Sequence, residues 1–396
     1  MQPIYTTYLS ILKQMCDPTE SITLTQEEQR ALLPLAERHF TAPFLLPYIT
    51  DPFCLDHFKK QTKRLMLHYH QIAHLTNILT TLFDTENIPY FLLKGISLAQ
   101  YYPFPESRKL GDVDIYIADK KSVSRAQELL EANGFILIPE VSDHHLTYQY
   151  SFDTIGRTFL IELHFRIVGL YHFAPTNQLV DDIYSANRLH PVFQKIEEYH
   201  YQVLPPTEYA FYLIHHMLKH YLYSGFGIRL LCDFVFFLQT HKTEINFEQL
   251  HDWCRTSHII HLYEIIVESC RIYLGLSSDI DDTIHTDPKI CAEFIQRILD
   301  EKDMGSADAS TLVGSHSYRK ITPFTYLKEF HLQMHVRFPK LGKCILLWPI
   351  LWIITFVCFI KNTYSLRKTT LTQTFRTFKE KNQQTQMLKI FDNSDD

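Results

Sequence analysis

At Pro89 the hydrophobic pattern of this chain changes period, and from Pro206 onward it changes back. Before Pro89, apolar residues recur at spacings of three and four, through Tyr8-Leu12-Met15, Leu32-Leu35-Ala36 and Leu65-Ile72-Leu75-Ile78-Leu82. This is the mark of helix faces, interrupted at Pro43 and Pro47. After Pro89 come short runs of strand type. Tyr90 to Leu93 is apolar and closed by Lys94-Gly95, and Ile96 to Tyr102 suits a short helix stopped by Pro103 and Pro105. Asp112 to Ala118 alternates in steps of two, as a strand with two different faces does. Ser122 to Asn133 reads as a helix capped at Asn133-Gly134. Strands are expected at 135–138, 146–152 and 158–165, the last two joined as a hairpin around Asp153 to Gly156. Helices are expected at 207–222, 228–241, 247–255, 258–274 and 288–301. This order predicts an α+β fold, a small mixed β-sheet core with helical N-terminal and C-terminal regions. The divisions are 1–86 helical, 87–204 the α/β core, 205–301 a helical domain, 302–317 a linker and 318–396 a basic C-terminal segment.

Composition narrows the chemistry. The 396 residues include only 11 glycines, with no G-x-G-x-x-G and no G-x-x-x-x-G-K-[ST], so neither a Rossmann site nor a P-loop is expected. Eight scattered cysteines show no zinc spacing and read as buried free thiols of a reducing, cytoplasmic environment. No basic start followed by an apolar run opens the chain, so no signal peptide is expected. The net charge of -6 is unevenly spread. Residues 318–389 carry 13 Lys/Arg against two Glu, while residues 1–317 carry 25 Lys/Arg against 39 Asp/Glu. Within the basic segment, 344–360 is uncharged and contains Trp348, Pro349 and Trp352. It suits a helix packed on protein, a helix in a membrane interface or a short span, so 344–368 is a candidate membrane surface.

Asp112-Val113-Asp114 is the sharpest local feature. Carboxylates two apart on a strand project together and repel unless a cation lies between them. Glu162 is a third strand carboxylate, with Ile161 and Leu163 facing away from it. Gly95, at a strand end before a helix start, allows phosphate oxygens to approach the backbone. Three strand carboxylates beside a phosphate loop suit metal-assisted phosphoryl or nucleotidyl transfer with Mg2+ or Mn2+.

These residues belong to a longer pattern: Ile88-Pro89-Tyr90-Phe91-Leu92-Leu93-Lys94-Gly95, Tyr101-Tyr102-Pro103, Arg108, Gly111-Asp112-Val113-Asp114 and Ile161-Glu162-Leu163-His164-Phe165-Arg166. The pattern resembles an uncharacterised bacterial nucleotidyltransferase family of the DNA polymerase β-like nucleotidyltransferase superfamily. The resemblance continues through His215-His216-Met217-Leu218-Lys219-His220 to Arg229 and Asp233. It implies transfer of a nucleoside monophosphate from an NTP to an acceptor (small molecule, glycan or protein), with no sequence-specific nucleic acid as partner. Asp112 and Asp114 would bind metal and nucleotide, and Glu162 would orient or deprotonate the acceptor. Gly95 and Ser97 would hold the β/γ-phosphates. Ile96 separates that pair where the superfamily usually has Gly-Ser or Gly-Gly-Ser, which leaves Lys94 as an alternative source of charge.

Other residues admit two readings each. Lys219 and Arg229 suit the triphosphate, or Arg229 pairs with Asp233 one turn on. Arg108 binds phosphate or anchors its loop. His164 and Arg166 steer Glu162 or form a hairpin salt link. His215, His216 and His220 raise zinc, and His251-Asp252 raises a metal phosphohydrolase dyad, both without further ligands at motif spacing. The rival functions are a D-x-D glycosyltransferase and a non-catalytic or regulatory protein of the same fold.

Overall fold

The computed structural model describes residues 1–16, 18, 21–139, 142–152, 156–221, 226–300 and 323–365. It is α+β, as the change of period predicts. The N-terminal region contains α1 (Pro3–Lys13), α2 (Gln26–His39), α3 (Ala42–Leu45) and α4 (Pro52–Thr85). Thr25 caps α2 in a reciprocal box with Glu28, and Pro43 and Pro47 hold the break before α4 to short turns. Four further elements lead into the sheet: β1 (Phe91–Leu93), α5 (Ile96–Ala99), β2 (Val113–Tyr116) and α6 (Lys120–Ala132). Asp119 starts α6 by accepting from the Ser122 backbone N–H at 2.8 Å, and Gly134 ends it at a φ of 83°.

The sheet is completed by β3 (Ile136–Leu137), β4 (His145–Phe152) and β5 (Arg157–His164). Its order is β1-β2-β5-β4-β3, with β2 and β5 parallel and every other pair antiparallel. The expected hairpin is present in β4 and β5, although 153–155 lie outside the described residues. Two elements had no period long enough to mark them: α7 (Ala174–Ile183) and the two-stranded ribbon of β6 (Val192–Ile196) and β7 (Tyr199–Val203). The helical region follows as α8 (Pro206–Lys219), α9 (Ile228–His241), α10 (Phe247–Thr256), α11 (Ile260–Leu274) and α12 (Pro288–Asp300). One hydrophobic core runs from Tyr5 in α1 to Leu299 in α12, so sheet and helices stabilise each other by shared burial.

The C-terminal pair is α13 (Pro323–Arg337) and α14 (Trp348–Ser365). The expected apolar helix at 344–360 begins four residues later, after two short 3-10 turns, because Pro349 suits the first turn of a helix and not its interior. No helix among the described residues is long and apolar enough to cross a membrane. The linker at 302–317 and the basic tail after 365 lie outside the described residues. All eight cysteines are thiols outside any disulfide, but only five are buried. Cys16 and Cys358 are intermediate, and Cys344 is exposed because the turn before α14 packs little against it.

Candidate active site

Sheet register brings the acidic residues together. Parallel pairing sets Asp114 of β2 directly beside Glu162 of β5, and antiparallel pairing sets His145 of β4 beside His164 of β5. Alternation turns Ile161 and Leu163 into the core, each 1% exposed, and leaves Glu162 and His164 on the opposite face. That face floors a cleft of about 430 Å³, lined by Asp112, Asp114, Glu162, Lys94, Lys219 and Arg229 among others.

Lys94 and His164 lie against the carboxylates. His164 Nε2 lies 3.2 Å from both Asp114 Oδ1 and Glu162 Oε2, so a single N–H there is shared between the two carboxylates. The Lys94 ammonium lies 3.0 Å from Asp114 Oδ2. His145 Nε2 is 3.9 Å from Glu162 Oε1. Burial, followed by the charge of Asp114, pushes the Asp112 carboxyl up to about 7. Burial also acts to raise Glu162, but the hydrogen bond and charge of His164, with His145 and Lys94, outweigh it and hold Glu162 below the usual carboxylate range. Burial acts to lower His164 and Lys94. The carboxylates outweigh it, and both groups are raised.

A sharp corner delivers Lys94. Lys94 and Gly95 follow one another at φ values of 54° and 57°, a region that L side chains rarely occupy. The hydroxyl of Tyr209 in α8 accepts from the Lys94 backbone N–H at 2.8 Å and lies 2.7 Å from Ser97 Oγ, which itself donates to the Lys94 carbonyl at 2.6 Å. Ser97 is fully buried, and its hydroxyl braces the corner. Arg108 takes the anchoring role. Its Nε and Nη2 donate to both oxygens of Asp233 at 2.6 and 2.7 Å, and its Nη1 donates to the Gly95 carbonyl at 3.2 Å. Arg229 meets Asp233 at a longer 3.6 Å and also faces the cleft.

Other expected groupings resolve differently. Arg166 turns away from Glu162 to Asp181, at 2.7 Å, and to the carbonyls of Val168 and Gly169. His215 pairs with the Tyr171 hydroxyl at 2.9 Å, while the His216 and His220 rings meet edge to face. His251 bonds Asp281 at 2.7 Å, whereas its sequence neighbour Asp252 pairs with Arg255 on the surface. The potential metal-binding groups among the described residues are Asp114-Glu162-His164 and His144-His145-His164.

Asp143, His144 and His145 had no motif to mark them. His144 Nδ1 donates to Asp143 at 2.6 Å, and Lys219 donates to His144 Nε2 at 3.1 Å. Burial, then the charge of Lys219, pushes His144 down to about 3. The expected hairpin held the missing signal, since pairing 152 with 157 and counting back puts His145 opposite His164.

The donors fit a divalent cation. Asp114, Glu162 and His164 offer ligand atoms within 4.8 Å of one another, and Asp112, raised first by burial and then by the charge of Asp114, lines the same cleft.

The chain belongs to the uncharacterised nucleotidyltransferase family, whose sequence profile matches residues 25–275. The crystal structure of an antigenic nucleotidyltransferase-like protein from Paracoccidioides brasiliensis is similar at 15% identity. The match covers 56% of this chain and 96% of that chain, with a TM-score of 0.33. No protein with a curated description matches the chain.

Proposed function

We propose that this protein is a cytoplasmic, metal-dependent nucleotidyltransferase of the DNA polymerase β-like superfamily, moving an NMP from an NTP to an acceptor hydroxyl or phosphate. The observation that carries this reading is the pairing of Asp114 with Glu162, beside Asp112, on the floor of a cleft whose walls supply Lys94, Lys219 and Arg229. Mg2+ or Mn2+, held by Asp112, Asp114 and Glu162, supplies Lewis-acid stabilisation of phosphate charge when bound.

The chain's own residues do the rest. Lys94, Lys219 and Arg229 bind the phosphate oxygens as preorganised cations. The side chain of Glu162 is 24% exposed against 3% for Asp114, so Glu162 is the carboxylate open to an acceptor. It orients an acceptor hydroxyl, and Asp112, whose carboxyl is pushed up to about 7 by burial and Asp114, receives the proton. The acceptor oxygen bonds to the α-phosphorus. The bond from that phosphorus to the bridging oxygen breaks, and its electron pair leaves on pyrophosphate. His164 keeps Asp114 and Glu162 aligned through its Nε2, which lies 3.2 Å from an oxygen of each. Ser97 and Arg108 act as positioning residues for the Lys94-Gly95 corner. Among the described residues before β1 the elements are helices, which does not favour the glycosyltransferase reading.

The test is a screen with each labelled NTP, divalent cation and cell extract, following label into product. Asp114→Asn is expected to lower labelling at least about 100-fold. Equal labelling by both proteins overturns the catalytic reading. No labelling by either favours the non-catalytic one.

A further inference from the structure

Eleven of the 21 exposed large apolar side chains among the described residues fall within 324–357, the hairpin of α13 and α14. The hairpin is built inside out. Between its helices it buries Met334, Leu351 and Thr355, and it sets the Trp348 ring against His331 at 4.6 Å. The Trp348 indole N–H donates to the Gly342 carbonyl at 2.7 Å, which fixes the turn. Outward it presents Ile350, Ile353, Ile354 and Val357, exposed by 58, 64, 42 and 57%. Their spacing of three, one and three is a single helical stripe. Leu346, 88% exposed, lies just before it in the chain.

Water is a poor neighbour for such a stripe. The length of the stripe and the nearby charge say what covers it. Among the described residues no helix is long and apolar enough to cross a hydrocarbon core of ~30 Å, and the stripe from 350 to 357 runs along one side of α14 for about 10 Å. Lys340 and Lys343 are exposed on the turn beside it. Residues 318–389 carry 13 Lys/Arg against two Glu, while residues 1–317 are acidic. Apolar residues with basic flanks and too short a run to cross suit a helix lying in the plane of an anionic bilayer. We infer that α14 docks on such a surface, burying Ile350, Ile353, Ile354 and Val357 among acyl chains while Lys340 and Lys343 meet lipid phosphates. The inference does not depend on nucleotidyl transfer.

Cosedimentation of the full chain with vesicles tests it, using equimolar phosphatidylcholine and phosphatidylglycerol against phosphatidylcholine alone. Binding to the anionic vesicles is expected to be at least about ten-fold tighter and to shift tryptophan emission to the blue. Ile353→Asp with Ile354→Asp, and separately Lys340→Glu with Lys343→Glu, should each weaken it about ten-fold or more. Circular dichroism guards against misfolding, and the lysine pair, being exposed, tests the idea even if the isoleucine pair unfolds the hairpin. Identical pelleting with and without vesicles overturns the proposal. So does undiminished binding by either folded variant, or a dimer in sedimentation velocity that the isoleucine variant abolishes while vesicles capture nothing.

Discussion

Two buried ionic clusters lie on either side of the Lys94-Gly95 corner, and they differ in what they leave unbalanced. In one, Arg108 meets Asp233 through two short hydrogen bonds, with the Tyr102 hydroxyl adding a third at 2.6 Å. In the other, Asp112, Asp114 and Glu162 outnumber Lys94 and His164, and Asp112 is driven up to about 7. Asp114 and His164 are as buried as Arg108 and Asp233, while Asp112, Glu162 and Lys94 are partly open to the cleft. Burial of charge therefore does not by itself mark a functional site, because a paired cluster can serve only to hold a loop. The excess of like charge marks the site, since nothing in folding alone rewards it.

The strongest way to break this contrast is to remove Arg108. Arg108→Met should cost about 3–5 kcal/mol in urea unfolding, because Asp233 is left buried without its main cation. Arg108→Met with Asp233→Leu should recover most of that loss. If the single variant is as stable as the parent, the cluster is not structural.

In the acidic cluster the sign should reverse. Asp112→Asn, measured without divalent cation near neutral pH, should stabilise the protein by about 1 kcal/mol, since the raised carboxyl resists ionisation in the fold. The same variant should lose labelled-product formation. A destabilised Asp112→Asn would show that the cluster is balanced after all.

His164 sharpens the comparison further. His164→Gln should raise the divalent concentration needed for half-maximal binding, read by calorimetry, by about ten-fold. The smallest effect belongs to the corner between the clusters. Gly95→Ala should cost about 1 kcal/mol from its φ of 57° alone, because the new Cβ would meet only the Leu93 carbonyl, at 4.0 Å. Thermal melting reads it directly.

The period-two run around Asp112 and the hairpin at 146–165 were legible because alternation is a local property of the chain. The three carboxylates were legible for the same reason, each standing out against apolar strand neighbours. The ribbon at 192–203 and α7 were not, since their patterns are short and their stability comes from packing on distant elements. Among the site residues, Lys94 and Glu162 could be found from their neighbours. His144 and His145 could be found only by counting register across a hairpin.

The amino-acid sequence by itself determined the order of helices and strands outside α7 and the 192–203 ribbon, the acidic face of the sheet and the basic, apolar character of the C-terminal segment. Each of these follows from residue type and spacing along one element. The tertiary structure alone decided that Arg108 belongs to Asp233, 125 residues away, that Tyr209 occupies the hydroxyl of Ser97, 112 residues away, and that Lys219 faces His144. Such partners leave no periodic trace. They are chosen when the core of α8 and α9 packs against the sheet, because a buried donor or charge takes the complementary group that packing brings within hydrogen-bonding distance.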